Sequence, residues 1–195
     1  ILEVSDQIVG QNLRQVNFDR LEEALNEIPY LNHVVVYTTI DNQLMVSVTE
    51  RKPIVRLIDG NGRSALIDSE GYLMPLSSVS ALRLPVITGE FNLEKSAVER
   101  NLHASDSLVA PEVSKSFDMG KLIFADSLWM AQFQHLSFES TGDLVAFPQV
   151  GNHTIIFGSD RFAEKLEMLQ IFYREGMSQE AWNKYKSINL KYKDQ

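Results

Sequence analysis

Residues 50–76 read ERKPIVRLIDGNGRSALIDSEGYLMPL, and the prediction of the fold starts from this stretch. It contains two strand-like runs, PIVRLID and RSALID, which are separated by the turn DGNG. A second turn, DSEG, precedes the strand-like YLMPL. Asp-Gly and Asn-Gly pairs supply the positive φ angles that tight hairpins require. Short strands joined by such turns predict an antiparallel sheet.

The DGNG turn also resembles the start of a calcium-binding loop, in which alternating positions supply oxygen ligands and the twelfth is a glutamate. Counted from Asp59, the third position is Asn61 and the twelfth is Glu70, but the fifth is the cationic Arg63. The sixth position, which such a loop reserves for glycine, is Ser64. We therefore interpret the turns as corners of a sheet and predict no metal or other cofactor there.

The residues before this stretch predict a helix followed by a β-hairpin. Asn17 is a suitable N-cap for the helix, and Pro29 is a suitable end. Between them apolar residues recur at helical spacing, at Phe18, Leu21 and Leu25. The runs HVVVYTTI and LMVSVTE follow, separated by an Asp-Asn turn, and both are rich in β-branched residues.

The second half of the chain predicts further helices and strands. Helical spacing spans residues 117–130, and the runs FQHLSFES, GDLVAFPQV and HTIIFGS predict three strands. The segment SDRFAEKLEMLQIFYREG predicts the clearest helix, with Ser159 or Asp160 as its cap. Residues 94–116 are polar and show little periodicity beyond a short helical pattern, so their place in the fold is not predicted.

The composition is that of a globular protein, with 44% hydrophobic and 23% charged residues. A net charge of −8 provides no field that would attract nucleic acid or an anionic membrane. The chain has no cysteine, which excludes disulfides, thiol catalysis and thiolate metal sites.

The sequence carries no recognisable catalytic motif. Neither a Gly-x-Ser-x-Gly elbow nor a phosphate-binding loop occurs, and the histidines are not spaced for chelation. These histidines are His33, His103, His135 and His153. A pair of catalytic carboxylates remains open, because such partners meet only in the folded chain.

A series of landmarks runs in order along most of the chain. It consists of Pro29, the ERKP of residues 50–53, the DSEG of residues 68–71, then LPVITG, IIFGSDRFAEKLEMLQIF and the closing SINLKYKDQ. In this order the landmarks resemble the FtsQ/DivIB family of bacterial cell-division proteins. The form of residues 54–77, IVRLID…YLMPLS, looks most like versions from the Bacteroidetes group.

The resemblance implies an α+β fold of two domains. Residues 1–52 resemble a POTRA domain, a β-α-α-β-β docking module, although its first strand is not obvious in residues 1–16. Residues 53–195 resemble the β domain of the family, a bent antiparallel sheet with helices packed against it. The residues at the junction between the two are Glu50, Arg51 and Pro53.

The resemblance also implies a function. Family members are non-enzymatic scaffolds that bind FtsB/FtsL-like division proteins and help to regulate septal cell-wall synthesis. One N-terminal helix holds them in the cytoplasmic membrane, with these domains in the periplasm. The resemblance implies that this anchoring helix is not part of the present chain. The POTRA-like domain is expected to contact other membrane proteins of the division complex.

The last strand-like segment, residues 187–192, is the predicted partner-binding edge. A terminal strand leaves one row of backbone N–H and C=O groups open, to which a partner segment adds as a further strand. The interface predicted around it comprises Trp182, Tyr185, Ser187, Ile188, Asn189, Leu190, Lys191 and Tyr192. For Trp182, packing in the core is an equal alternative.

The charge of this segment fits two interpretations. Residues 184–195 carry four lysines and one aspartate, a local charge of +3 that would steer an acidic partner. The same lysines equally fit the protection of an exposed edge from aggregation. The family resemblance favours binding.

Two other functions stay open at the level of sequence. A POTRA module of an outer-membrane assembly or secretion machine would share the docking domain. A carboxylate-based cell-wall hydrolase would require a deep pocket with two facing acids.

Overall fold

The computed structural model describes residues 16–76, 83–176 and 185–192. The chain divides between Lys52 and Pro53 into two units, and each unit is described by itself. Both contain helices and strands, which confirms the α+β class.

The first unit contains helix α1 (Phe18–Asn26) and the strands β1 (Leu31–Thr38) and β2 (Leu44–Glu50). The side chain of Asn17 accepts a hydrogen bond from the backbone N–H of Arg20 at 3.1 Å, so the predicted N-cap is confirmed. The first POTRA strand, sought in residues 1–16, lies almost wholly outside the described residues.

The helix of the first unit packs on the hairpin through its apolar stripe. The two strands pair antiparallel, with Val34 opposite Val48 and Val36 opposite Val46. The carboxylate of Glu22 accepts a hydrogen bond from the N–H of Val36 at 2.6 Å, which ties the helix to β1. The buried apolar residues of this unit are Leu21, Leu25, Leu31, Val34 and Val36.

The second unit is built on one sheet of eight strands. In chain order these are β3 (Pro53–Asp59), β4 (Ser64–Asp68), β5 (Leu73–Pro75), β6 (Val86–Gly89), β7 (His135–Phe138), β8 (Leu144–Phe147), β9 (Thr154–Gly158) and β10 (Ser187–Asn189). Across the sheet the order is β10-β9-β8-β7-β6-β3-β4-β5, which places β10 and β5 at the two edges.

This sheet is mixed, whereas the sequence predicted an antiparallel one. The pairs β3–β4, β4–β5, β7–β8 and β8–β9 are antiparallel, and short connections join the strands of each pair. The pairs β3–β6, β6–β7 and β9–β10 are parallel. Parallel neighbours need long connections, and a pattern of short strands does not reveal which strands such connections bring together.

Helices cover one face of the sheet. They are α2 (Lys95–Glu99), α3 (Pro111–Ala125), α4 (Ser127–Gln132) and α5 (Phe162–Ile171), which continues as a π-helical turn at Phe172–Gly176. Gly120 of α3 allows a close approach to the sheet, since a Cβ there would lie 3.1 Å from the Cβ of Val55. The largest fully buried apolar side chains of this core include Leu57, Ile67, Ile87, Met119, Ile123, Phe133, Leu136 and Phe157.

The predicted helix over residues 117–130 is two helices. The first begins earlier, because Pro111 occupies the first helical turn, where its fixed φ is favourable. It ends at Ala125, and the Asp126 side chain then caps α4 by accepting a hydrogen bond from the N–H of Leu128 at 2.8 Å. Spacing alone does not show this break, since apolar residues continue across it.

The predicted cap of α5 by Ser159 or Asp160 is wrong. The residue at the N-cap is Arg161, which has a left-handed backbone with φ of 49° and makes no capping hydrogen bond with its side chain. Asp160 instead accepts a hydrogen bond from the buried Lys165.

The glycine turns of the opening stretch are hairpin corners, as predicted. Gly62 has a φ of +78° and Gly71 a φ of +95°. One oxygen of the Asp59 carboxylate accepts hydrogen bonds from the N–H groups of Asn61 and Arg63, at 3.0 and 2.8 Å. The other accepts one from the N–H of Leu93 at 3.2 Å, so N–H donors of the chain occupy the oxygens that a calcium ion would need.

These hydrogen bonds also set the charge of Asp59. Burial raises its pKa, but the hydrogen bonds from the Leu93 and Arg63 backbones and from the Arg63 side chain outweigh that effect. The pKa of Asp59 therefore lies below its ordinary value, and the turn is held together by a carboxylate anion.

Two alanine substitutions are expected to separate backbone strain from steric overlap at these turns. Gly62→Ala should lower the free energy of unfolding by about 1–2 kcal/mol, from the left-handed conformation alone, since nothing lies within 4 Å of its Cβ position. Gly71→Ala should lower it by about 2–5 kcal/mol, because its Cβ would overlap the ring of His103. Urea unfolding of both variants measures this difference. Equal losses of unfolding free energy would contradict the steric overlap with His103.

Candidate partner-binding edge

Strand β10 forms one edge of the large sheet and is attached on one side only. It runs parallel to β9, with Ile188 opposite Ile155. The C=O of Lys186 accepts a hydrogen bond from the N–H of Thr154 at 3.1 Å, and the N–H of Leu190 donates to the C=O of Ile156 at 2.9 Å.

Every second residue of β10 directs its backbone N–H and C=O groups away from β9. Because successive residues of a strand direct their N–H and C=O groups to opposite sides, Ser187 and Asn189 present these groups outward. Both residues are exposed, and none of the hydrogen bonds found among the described residues uses those outward groups. The edge therefore offers two N–H donors and two C=O acceptors to an added strand.

Hydrogen bonds close the opposite edge of the sheet at Leu73. The N–H of Leu73 in β5 donates to the C=O of Leu102 at 3.0 Å, and the Asn101 side chain donates to the C=O of Leu73 at 2.8 Å. Tyr72 and His103 form a further antiparallel bridge beside them. These capping residues belong to the polar stretch 94–116 that the sequence did not place, and their position protects one edge of the sheet.

The edge strand is shorter than predicted. The sequence predicted residues 187–192, but the strand ends at Asn189, whose side-chain oxygen accepts a hydrogen bond from the N–H of Lys191 at 2.9 Å. This local turn ends the strand, although Lys191 stays beside Gly158 of β9. Ile188 and Leu190 are half-buried and pack on the core, so their role is attachment.

Lys191 is bound within the chain and does not extend outward as the predicted steering charge. Its Nζ lies 2.7 Å from a carboxylate oxygen of Asp143, on the turn between β7 and β8. The hydroxyl of Thr141 donates to the same oxygen at 3.0 Å. The Lys191 hydrogen bond lowers the pKa of Asp143 against the opposing effect of burial, and the same bond raises the pKa of Lys191.

The aromatic residues of the predicted interface are only partly placed. Tyr185 is 39% exposed, and its ring meets that of Phe172 with centroids 5.7 Å apart. Tyr192 is 55% exposed, with the Lys191 Nζ 5.9 Å from its ring centroid. Trp182 lies outside the described residues.

A second buried charge lies close to this ion pair. Lys165 is buried in the apolar face of α5, and its Nζ donates to the backbone and side-chain oxygens of Asp160, at 2.8 and 2.9 Å. The sequence carries a signal for this buried charge, since Lys165 falls at helical spacing within the apolar stripe. Asp143 and Lys191 carry no such signal, because 48 residues separate them.

Two carboxylates, those of Asp118 and Asp160, line one cavity of the second unit. This cavity of about 510 Å³ is lined by residues that include Asp118, Asp160, Lys115, Lys121 and Arg161. The hydrogen bond from Lys165 lowers the pKa of Asp160, so its carboxyl stays ionised and is unsuited to act as a general acid.

Within residues 16–76, 83–176 and 185–192, no three histidine or acidic side chains come together in a way that could hold a metal ion. In the same ranges no helix combines the length and apolar character needed to cross a membrane.

Comparison with known proteins gives a consistent result. Residues 52–195 match the model of a family described as "FtsQ/DivIB, C-terminal related", which confirms the resemblance found from the landmarks. A "Cell division protein FtsQ" of Koribacter versatilis is 32% identical over 83 residues, which cover 42% of this chain and 24% of that protein. A protein of the same name from Myxococcus fulvus is 35% identical over 83 residues, which cover 41% and 28%. The match thus spans about a quarter of the length of these relatives.

The lowered pKa of Asp143 predicts how its ion pair responds to acid. A carboxyl whose pKa is depressed in the folded state stabilises the fold when the pH lies above its ordinary pKa, here 3.8. This contribution is lost as the pH falls through the depressed pKa. We therefore expect the pair with Lys191 to stay closed from neutral pH down to about pH 4 and to open below it. An NMR titration of the Asp143 carboxyl carbon measures this, and a midpoint at or above the ordinary value would contradict it.

Proposed function

This chain belongs to the FtsQ/DivIB C-terminal related family, and from that premise we propose that it is a non-enzymatic scaffold of the bacterial cell-division complex. The two curated relatives carry the name of a cell-division protein. The observation that carries the proposal is the edge strand β10, whose outward backbone groups at Ser187 and Asn189 are open among the described residues.

The proposed mode of binding is strand addition. A partner segment in extended conformation would lie along β10 and exchange main-chain hydrogen bonds with Ser187 and Asn189. Side chains beside the edge, chiefly the exposed Tyr185 and Tyr192, would then select the partner. Aromatic residues of this kind are common anchors of protein interfaces. The partner class is an FtsB/FtsL-like division protein.

The closed state of the opposite edge supports the choice of β10. A strand that adds to β5 would have to displace the hydrogen bonds that Leu73 makes with Asn101 and Leu102. Addition at β10 displaces no hydrogen bond between described residues. Strand addition at β5 therefore costs more free energy than addition at β10, since the C=O of Leu102 and the side chain of Asn101 would lose their hydrogen bonds with Leu73.

The charges near the edge fit an acidic partner less strongly than the sequence suggested. Lys191 is neutralised by Asp143, which leaves the exposed Lys186 as the cation of the described segment closest to the strand. A single exposed lysine changes the rate of association more than the affinity. Backbone pairing therefore supplies most of the proposed recognition.

Membership of the family supports further features of the proposed function. In this proposal a membrane anchor precedes Ile1, the described units lie in the periplasm, and the first unit contacts other membrane proteins of the division complex. Through these contacts the protein would help to regulate septal cell-wall synthesis.

Ser187→Pro is expected to weaken binding of an FtsB-like partner at least tenfold while leaving β10 in place. Proline removes the outward N–H of residue 187, and its ring fills the position of an incoming strand. The hydrogen bonds to β9 use Lys186 and Leu190, which the substitution does not alter. Isothermal titration calorimetry with the purified extracytoplasmic segment of the FtsB-like protein measures the change.

The matched control is Ser187→Ala, which keeps the N–H and removes only the hydroxyl. It should bind with an affinity within about twofold of the unsubstituted chain. Equal binding by the proline and alanine variants would overturn strand addition at β10. A lack of binding by the unsubstituted chain would overturn the proposed partner class.

A further inference from the structure

We propose that the ion pair between Asp143 and Lys191 is a latch that holds β10 against β9 and so keeps the docking edge formed. The inference rests on the proposed function, because it concerns the same edge, but its structural part can be tested without any partner. In this role Asp143 and Lys191 are positioning residues and do not contact the partner.

The path of the chain after β10 brings the side chain of Lys191 to Asp143. The side-chain oxygen of Asn189 accepts a hydrogen bond from the N–H of Lys191, which turns the backbone. Lys191 then crosses over Gly158 at the end of β9. A Cβ at Gly158 would lie 3.1 Å from the Cγ of Lys191 and 3.5 Å from its Cα. Gly158, with a φ of +74°, thus leaves room for the crossing that brings the Lys191 ammonium to Asp143.

Strand β10 is weakly held without this pair. It has three residues, and its apolar contacts with the core come from the half-buried Ile188 and Leu190. A strand of this length at a sheet edge frays readily, because few buried contacts oppose the gain of backbone entropy. A contact just beyond its last residue limits that fraying.

The other half of the latch is rigidly placed. Asp143 is 7% exposed and lies on a tight turn, in which the N–H of Glu139 donates to the C=O of Asp143 at 2.9 Å. Thr141 adds a hydrogen bond to the carboxylate. Lys165 contributes a second, more distant positive charge, although its ammonium is already bonded to Asp160. A nearly buried carboxylate with one directly bonded cation holds that cation firmly.

The latch pre-organises the docking edge for a partner strand. A partner strand that meets an ordered edge forms its hydrogen bonds without first ordering residues 187–191, whereas a frayed edge would have to be ordered in the same step. The latch should therefore raise the affinity for an added strand although neither of its residues touches the partner.

Hydrogen exchange of the whole 195-residue chain tests the structural part. In Lys191→Met and in Asp143→Asn, we expect the amides of Ile188 and Leu190 to exchange at least tenfold faster, while the amides of β8 and the helices keep their rates. Unchanged rates at Ile188 and Leu190 in both variants would overturn the latch. The β8 amides report whether either variant unfolds as a whole.

Two further variants serve as controls. Lys186→Met removes the same charge from the same segment without touching Asp143, and it should leave the exchange rates unchanged. Lys191→Arg retains a cation that can reach the carboxylate, and it should restore protection. Fast exchange in Lys186→Met would show that net charge, and not the latch, orders the edge.

Calorimetry with the FtsB-like extracytoplasmic segment tests the consequence for docking. We expect Lys191→Met to bind at least tenfold more weakly than the unsubstituted chain and Lys191→Arg to bind within about threefold of it. Fast exchange with unchanged affinity would overturn the link between the latch and docking. If the unsubstituted chain fails to bind, the proposed function is refuted, and the exchange rates still decide whether the latch exists.

Discussion

An open sheet has two edges, and the backbone groups along each edge need partners from the chain, from water or from another molecule. In the large sheet of this protein the two edges are treated differently. The loop that carries Asn101 and Leu102 covers β5, whereas β10 presents Ser187 and Asn189 outward. Among the described residues, no hydrogen bond closes the outward backbone groups of β10.

Local patterns predicted the elements of the structure well. The cap at Asn17, the glycine turns at Gly62 and Gly71, and the three strands from β7 to β9 all follow from residues close together in the sequence. The order of landmarks along the chain identified the family. Such features depend on backbone conformation and apolar spacing, which a single segment determines.

Features that depend on distant residues were not predictable in the same way. The parallel pairing of β3 with β6 and of β9 with β10 brings together strands that are separated by other elements. The cap of β5 and the pairing of Lys191 with Asp143 likewise join residues far apart in the sequence. The sequence predicts an outward-directed charge at Lys191 because its partner, 48 residues earlier, has no local signature.

The short length of β10 limits how tightly anything can be held there. Two outward residues provide at most four main-chain hydrogen bonds, and each contributes about 0.5–1.5 kcal/mol of net free energy. Before the loss of freedom on association is subtracted, that amounts to about 2–6 kcal/mol, which by itself corresponds to a weak and rapidly reversible contact. An assembly that relies on such contacts gains its stability from several linked sites, and it can come apart again when a few of them are released.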